Sequence, residues 1–342
     1  MNTINDANLP GLVATYLSKE TGRPITVDGL IRFPVGFSWL TYGLRVMGLE
    51  DAPAGRELIL RLGPDYGLFA PYSAYPQALA MESLQGSGVP VPASFWRSDD
   101  ASILGAPFLF CERVRGDAVL PWASAALAPL EESFRLTLAA QFIDALGTLH
   151  RTDWRSKSIS VMGQGLTLAN AAEKQIAFWQ SVYERWAMRA YPLFEWGLHW
   201  LRQNRPLAPR LSIIHGDYRT GNFLEKGGHI PAILDWELTH IGDPHEDLGW
   251  ASLPMYMGGT KLVCRLIEPE RFFELYQAQV PFTVSATSVR FYRVFSLMKL
   301  AATHMAAARC FEDGRFNDLR MPAMGSQIIP VLRQMEKAIE AP

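Results

Sequence analysis

The chain has 342 residues, of which 49% are hydrophobic and 19% charged, and a formal net charge of −2. Such a chain is long enough for one large domain or two lobes with cores of their own, and its balance excludes a disordered polymer. Near-neutral charge gives no electrostatic case for nucleic acid or an anionic membrane as partner.

No apolar run approaches the length of a membrane span, and MNTINDANLP lacks the basic-then-apolar order of a signal peptide. Cys111, Cys264 and Cys310 are widely spaced and form no metal-type pair, so a reduced, cytoplasmic setting is expected.

From Pro10 to Gly22 the spacing predicts a short helix, with Leu12, Val13, Tyr16 and Leu17 on one face and Gly22 as its stop. The period then becomes strand-like in ITVDGLIRF, LTYGLRV and ELILRL, with Pro34, Gly36 and the run Asp51 to Gly55 as breaks. The link Pro34-Val35-Gly36-Phe37-Ser38 offers backbone N–H groups and the Ser38 hydroxyl to a phosphate; with one glycine, an ordinary hairpin turn reads equally well. Tyr75 to Gln85 is helical in period and ends at Gly86-Ser87-Gly88. Strand-like runs Ala93 to Arg97 and Pro107 to Val114 follow. One helix among five strands is the pattern of a small nucleotide-covering lobe, ending between Cys111 and Gly116.

Beyond it, Leu130 to His150, Ala171 to Arg189, Pro192 to Asn204, Val284 to Phe311 and Met321 to Ile339 read as helices. The expected fold is α+β and bilobal: a small mixed-β lobe over 1–113 and a larger, mainly helical lobe over 114–342, with the chemistry at the seam.

One interruption in the helical half carries that chemistry. An apolar run from Leu211 to Ile214 delivers His215-Gly216-Asp217, and Asn222 follows five positions later. A Lys226-Gly227-Gly228 turn and a second apolar run then deliver Asp235-Trp236-Glu237. Asp217 is the candidate base for a hydroxyl proton, while Asn222 and Asp235 offer the hard oxygen ligands that suit Mg²⁺. Asp243 and Asp247 read as structural, the first at a turn and helix start, the second tying down loop backbone. His215 reads as a packed loop residue.

HGDYRTGN, then DWE, then GDPHEDL, resembles the aminoglycoside phosphotransferase family, relatives of the eukaryotic protein kinases. The sequence looks closest to the branch found fused to, or encoded beside, acyl-CoA dehydrogenases. Val-Pro-Val-Pro (89–92), Leu149-His150, Trp200-Leu201 and Pro206 extend the resemblance over nearly the whole chain. It implies a protein-kinase-like fold, ATP and Mg²⁺ as cofactors, Asp217 as catalytic base, Asn222 and Asp235 as magnesium ligands, and adenine against the backbone of Cys111, Glu112 and Arg113. Arg219 takes the place where kinases commonly carry a lysine on the transferred phosphate; pairing with a carboxylate such as Glu237 is the alternative. Arg61 stands where many relatives have a phosphate-contacting lysine, and the helix position expected to hold its glutamate is Gln77, which can accept a hydrogen bond but not balance a charge. Glu82, five residues on, belongs to another helix face.

Trp179, Tyr183, Trp186, Trp196 and Trp200 fall in helices expected to wall an acceptor, although such spacing also suits a core. Glu173, Glu184 and Glu195 are matched by Lys174, Arg185, Arg189 and Arg202, a poor match to a polycation. The resemblance implies an ATP- and Mg-dependent phosphotransferase acting on a small-molecule hydroxyl, and its acyl-CoA dehydrogenase branch favours a hydroxyacyl-CoA or related hydroxy acid. The alternatives are a nucleotide-binding scaffold with little turnover and an aminoglycoside or macrolide phosphotransferase.

Overall fold

A computed structural model describes residues 6–34, 36, 38–120, 130–315 and 318–341. It divides into two compact units, one comprising 1–82 and 92–114, the other 83–91 and 115–342. Val35 and Phe37 of the glycine-bearing link lie outside the described residues.

The first unit opens with α1 (Leu9–Thr21), stopped by Gly22 in the left-handed conformation. Its buried stripe is Leu9, Val13 and Leu17, spaced by four, and Leu12 lies outside it, exposed. Then come β1 (Thr26–Phe33), β2 (Leu40–Met47), β3 (Arg56–Leu62), α2 (Tyr75–Leu84), β4 (Ser94–Ser98), the single turn α3 (Ala101–Leu104) and β5 (Phe108–Glu112). The strands form one antiparallel sheet in the order β1-β2-β3-β5-β4. Period-two alternation puts Tyr42, Leu44 and Val46, then Leu58, Leu60 and Leu62, then Phe108 and Phe110 into one cluster with α1. The residues between them, Arg61 included, belong to the opposite face. Between β4 and β5, Asp100 caps α3, accepting from Ser102 N at 2.9 Å.

The second unit begins with β6 (Asp117–Ala118) and α4 (Glu132–Arg151), followed by α5 (Ala171–Trp186) and α6 (Pro192–Gln203). The chain then forms β7 (Ser212–Ile214), β8 (Phe223–Lys226), β9 (His229–Ile233) and β10 (His240–Gly242). β7 pairs with β10, while β6, β8 and β9 make a second small sheet. Next are α7 (His245–Ala251), α8 (Pro269–Gln279), α9 (Ala286–Glu312), α10 (Arg320–Gly325) and α11 (Ile328–Glu340). The helix expected over Met321 to Ile339 is thus two. The chain breaks after Gly325, where a Cβ would stand 2.9 Å from Ala308 Cβ on α9. Glycine at 325 lets the chain approach α9 closely at that break.

Helix α9 is buried on nearly every side, and α7 packs directly on it. Every residue of α7 is buried, and a Cβ at Gly249 would lie 2.6–2.8 Å from Tyr292 backbone and Cβ atoms. A backbone cannot yield cheaply, so Gly249→Ala should cost about 1–3 kcal/mol by overpacking. Urea unfolding measures this, and an unchanged midpoint would show that the helices separate more easily than their packing implies. Among the described residues no helix is long and apolar enough to cross a membrane.

Candidate active site

β7 ends at Ile214, and the next three residues aim Asp217. Gly216 turns the chain with φ of 83°, and a Cβ there would meet the Leu238 carbonyl oxygen at 2.6 Å, so glycine is required. Asp247 of α7 holds this turn, accepting from His215 N at 2.9 Å and Gly216 N at 2.8 Å. Its Oδ2 also lies 3.1 Å from His150 Nε2, and His150 Nδ1 lies 2.6 Å from the Tyr276 hydroxyl. Burial alone would raise the Asp247 pKa, but the His150 hydrogen bond, the two nearby imidazoles and the His215 N–H hold it below the usual carboxylate value.

The Asp217 carboxylate is enclosed by four donors. Arg219 Nε and Trp250 Nε1 donate to Oδ1 at 2.8 and 2.6 Å. Arg219 Nη2 and Asn222 Nδ2 donate to Oδ2 at 3.1 and 2.6 Å. These fill the acceptor capacity of an ionised carboxylate. Burial favours a neutral Arg219, but the facing Asp217 charge outweighs it and raises the guanidinium pKa. Asp217 itself is thus a carboxylate partner of Arg219.

Asn222 Nδ2 also donates to the Asp217 backbone carbonyl at 2.9 Å, which orients the amide and leaves its oxygen as an acceptor. The β8–β9 hairpin brings Asp235 back toward it. Phe223 pairs with Ile233, and Leu234 N donates to Asn222 O at 2.7 Å, one residue before Asp235. Asp235 has a left-handed backbone, φ 65° and ψ 49°, which is uncommon for a residue with a Cβ. Among the described residues no group of three or more His, Cys, Asp or Glu forms a metal cage. An amide oxygen with one carboxylate does fit Mg²⁺, which takes one or two protein ligands and completes its shell with phosphate and water.

His215 is buried against the Trp236 ring, accepts from Asp217 N at 3.1 Å and places Nε2 2.9 Å from Leu234 O. Burial lowers its pKa, so the ring is neutral and a structural part of the loop. Trp179, Tyr183 and Trp186 are buried core residues, whereas Trp196 is exposed.

In the first unit, Arg61 Nη1 donates to Gln77 Oε1 at 2.7 Å, and the guanidinium lies 5.7 Å from the Trp39 ring. Gln77 is buried, and its Nε2 has no hydrogen-bond partner among the described residues. Glu82 pairs instead with Arg97. Cys111 is buried in the sheet opposite Ile59, and burial pushes its thiol up to about 12, so it is no nucleophile. Glu112 N donates to Ala93 O at 2.8 Å, Arg113 N reaches Glu57 O at 3.4 Å, and Ser38 is buried beside Trp39 in the chain.

A model of the phosphotransferase enzyme family, APH, matches residues 45–272. The chain belongs to that family. Acyl-CoA dehydrogenase family member 10 of Mus musculus is 27% identical over 86% of the chain, and the chain spans only 27% of its length. A protein of Ralstonia eutropha JMP134 assigned to the aminoglycoside phosphotransferases has the same fold, with TM-score 0.74 and 20% identity over 96% of this chain and 98% of its own. Aminoglycoside phosphotransferase APH(4)-Ia, solved with ADP and hygromycin B, aligns with TM-score 0.54 and 14% identity over 94% of this chain and 98% of its own. This family membership and the kinase-like α+β fold agree with the resemblance carried by HGDYRTGN, DWE and GDPHEDL.

Motif spacing assigns Trp250 no role, yet its indole donates to the Asp217 carboxylate from 33 residues away. Its only signal was its position closing GDPHEDLGW.

Proposed function

We propose that this family member is an ATP- and Mg²⁺-dependent kinase that transfers the γ-phosphoryl group to a hydroxyl of a small molecule. The observation that carries this reading is the Asp217 carboxylate, held at a strand end by hydrogen bonds from Arg219, Trp250 and the Asn222 amide. Asp217 accepts the hydroxyl's hydrogen bond and takes its proton late in transfer. With four donors already on it, one must leave to admit the hydroxyl. Arg219 is the one with a competing anion, and its guanidinium moves to the transferred phosphoryl oxygens. Asn222 and Asp235 hold magnesium, which neutralises phosphate charge when bound. Arg61 and the Ser38 hydroxyl contact phosphate, and backbone around Cys111, Glu112 and Arg113 receives the adenine.

For the acceptor we favour a hydroxyacyl thioester or hydroxy acid over a polycation. Glu173 of α5 is already paired with Arg205, and Glu184 accepts from Gln180 at 2.6 Å. The acyl-CoA dehydrogenase relative points to the same chemistry. Gln77, which accepts from Arg61 but cannot balance its charge, favours the second reading, a nucleotide-binding scaffold. Mg-ATP with hydroxyacyl-CoA, hydroxy-acid and aminoglycoside panels separates the readings by mass spectrometry. ADP with a phosphorylated hydroxyacyl or hydroxy-acid product is expected. Nucleotide-dependent thermal stabilisation without turnover on any panel would establish the scaffold instead.

A further inference from the structure

Lysine 299 is the feature of the second unit that packing does not explain. It sits mid-way along α9 and is 1% exposed, among Leu297, Met298, Leu300 and Ala302. Burying an ammonium costs several kcal/mol unless it is paired, and an apolar side chain would pack there at least as well. Its contacts show where the charge acts. Nζ donates to Gly216 O at 2.5 Å and lies 3.3 Å from Glu246 Oε1. It also lies 4.7 Å from the centre of the Trp250 ring and 5.4 Å from that of Trp179.

The two contacts to Gly216 and Trp250 converge on one carboxylate. The Gly216 carbonyl belongs to the peptide that leads directly into Asp217, and the N–H of Gly216 is already held by Asp247. The Trp250 indole, under the same ammonium, donates to Asp217 Oδ1 at 2.6 Å. One buried cation therefore braces both the main-chain and the side-chain support of the candidate base. Glu246 bridges Lys299 to His240 Nε2 at 3.1 Å and supplies the countercharge without reaching Asp217.

We infer that Lys299 and Trp250 are positioning residues for phosphoryl transfer. Lys299 fixes the Gly216–Asp217 peptide and the Trp250 ring, and Trp250 fixes Asp217 Oδ1. This rests on the phosphotransferase reading for its kinetic consequence but not for its geometry.

The test uses full-length protein labelled with ¹⁵N at the indoles, with Trp250→Phe identifying the Trp250 resonance. Asp217→Asn and Lys299→Met should each move that resonance and leave those of Trp96 and Trp196 in place. In Asp217-dependent hydrolysis of Mg-ATP, with water as acceptor, Lys299→Met and Trp250→Phe should lower kcat by about tenfold to a hundredfold and leave the KM for Mg-ATP unchanged. A purely structural lysine would lower thermal stability without this split. A folded Lys299→Met protein with wild-type kcat, or with an unmoved Trp250 resonance, overturns the proposal. Should Lys299→Met fail to fold, Lys299→Met combined with Glu246→Gln removes both buried charges and is read the same way. If Asp217→Asn hydrolyses ATP as fast as the wild type, the phosphotransferase reading fails, while the indole resonances still decide whether Lys299 and Trp250 hold Asp217.

Discussion

Asp217→Asn is expected to lower kcat for transfer to the best hydroxyl acceptor by about 10²–10⁴-fold, the usual contribution of a positioned general base. The substitution is nearly isosteric and keeps one oxygen for the Trp250 indole. It removes the charge and turns an N–H₂ toward two donors, Arg219 Nη2 and Asn222 Nδ2, which now share Oδ2. Arg219 loses its anion and is freed for phosphate, so nucleotide affinity should hold or tighten while kcat falls. Initial rates at varied Mg-ATP, with isothermal titration of ADP, separate the two effects. A variant with full kcat and weakened ADP binding would mean that Asp217 serves only to hold Arg219.

How much of this was legible in the residues depends on how local each interaction is. Asp217, Asn222 and Asp235 lie on one strand end and one hairpin, and the Gly227-Gly228 turn closes that hairpin over a few residues. Backbone geometry carries such a constellation almost unchanged from sequence to space. The first unit was readable for a related reason, because alternation along β2, β3 and β5 encodes which face meets α1.

Other features depend on contacts between distant segments, and local patterns do not encode them. Strand β6 is two residues long and exists only because Glu225 and Leu224 pair with it. Helix α8 has only short local signals, Pro269 near its start and Phe272 and Tyr276 on one face. Lys299 had a signal as well. A single lysine in the run Ser296 to Ala308, on a helix buried along most of its length, calls for a buried partner that local pattern does not identify. That Arg219 falls on Asp217 itself follows from the tight turn between them, which spacing alone does not describe.

The largest stability effect should come from Asp247. It is fully buried and accepts from two backbone N–H groups and faces the His150 imidazole, so Asp247→Ala orphans three polar groups at once. Breaking a buried pair of this kind costs about 3–5 kcal/mol. Asp247→Asn should cost less, because its oxygen satisfies one donor. The pH dependence separates charge from shape. The folded pKa of Asp247 lies below the ordinary 3.8, so its ionisation stabilises the fold above that value. That contribution disappears as pH falls through the folded pKa. In urea unfolding the gap between wild type and Asp247→Asn should therefore be widest near neutrality and narrow toward about pH 3. A gap that stayed constant over that range would mean that hydrogen-bond geometry alone, and not the charge of Asp247, holds the loop that aims Asp217.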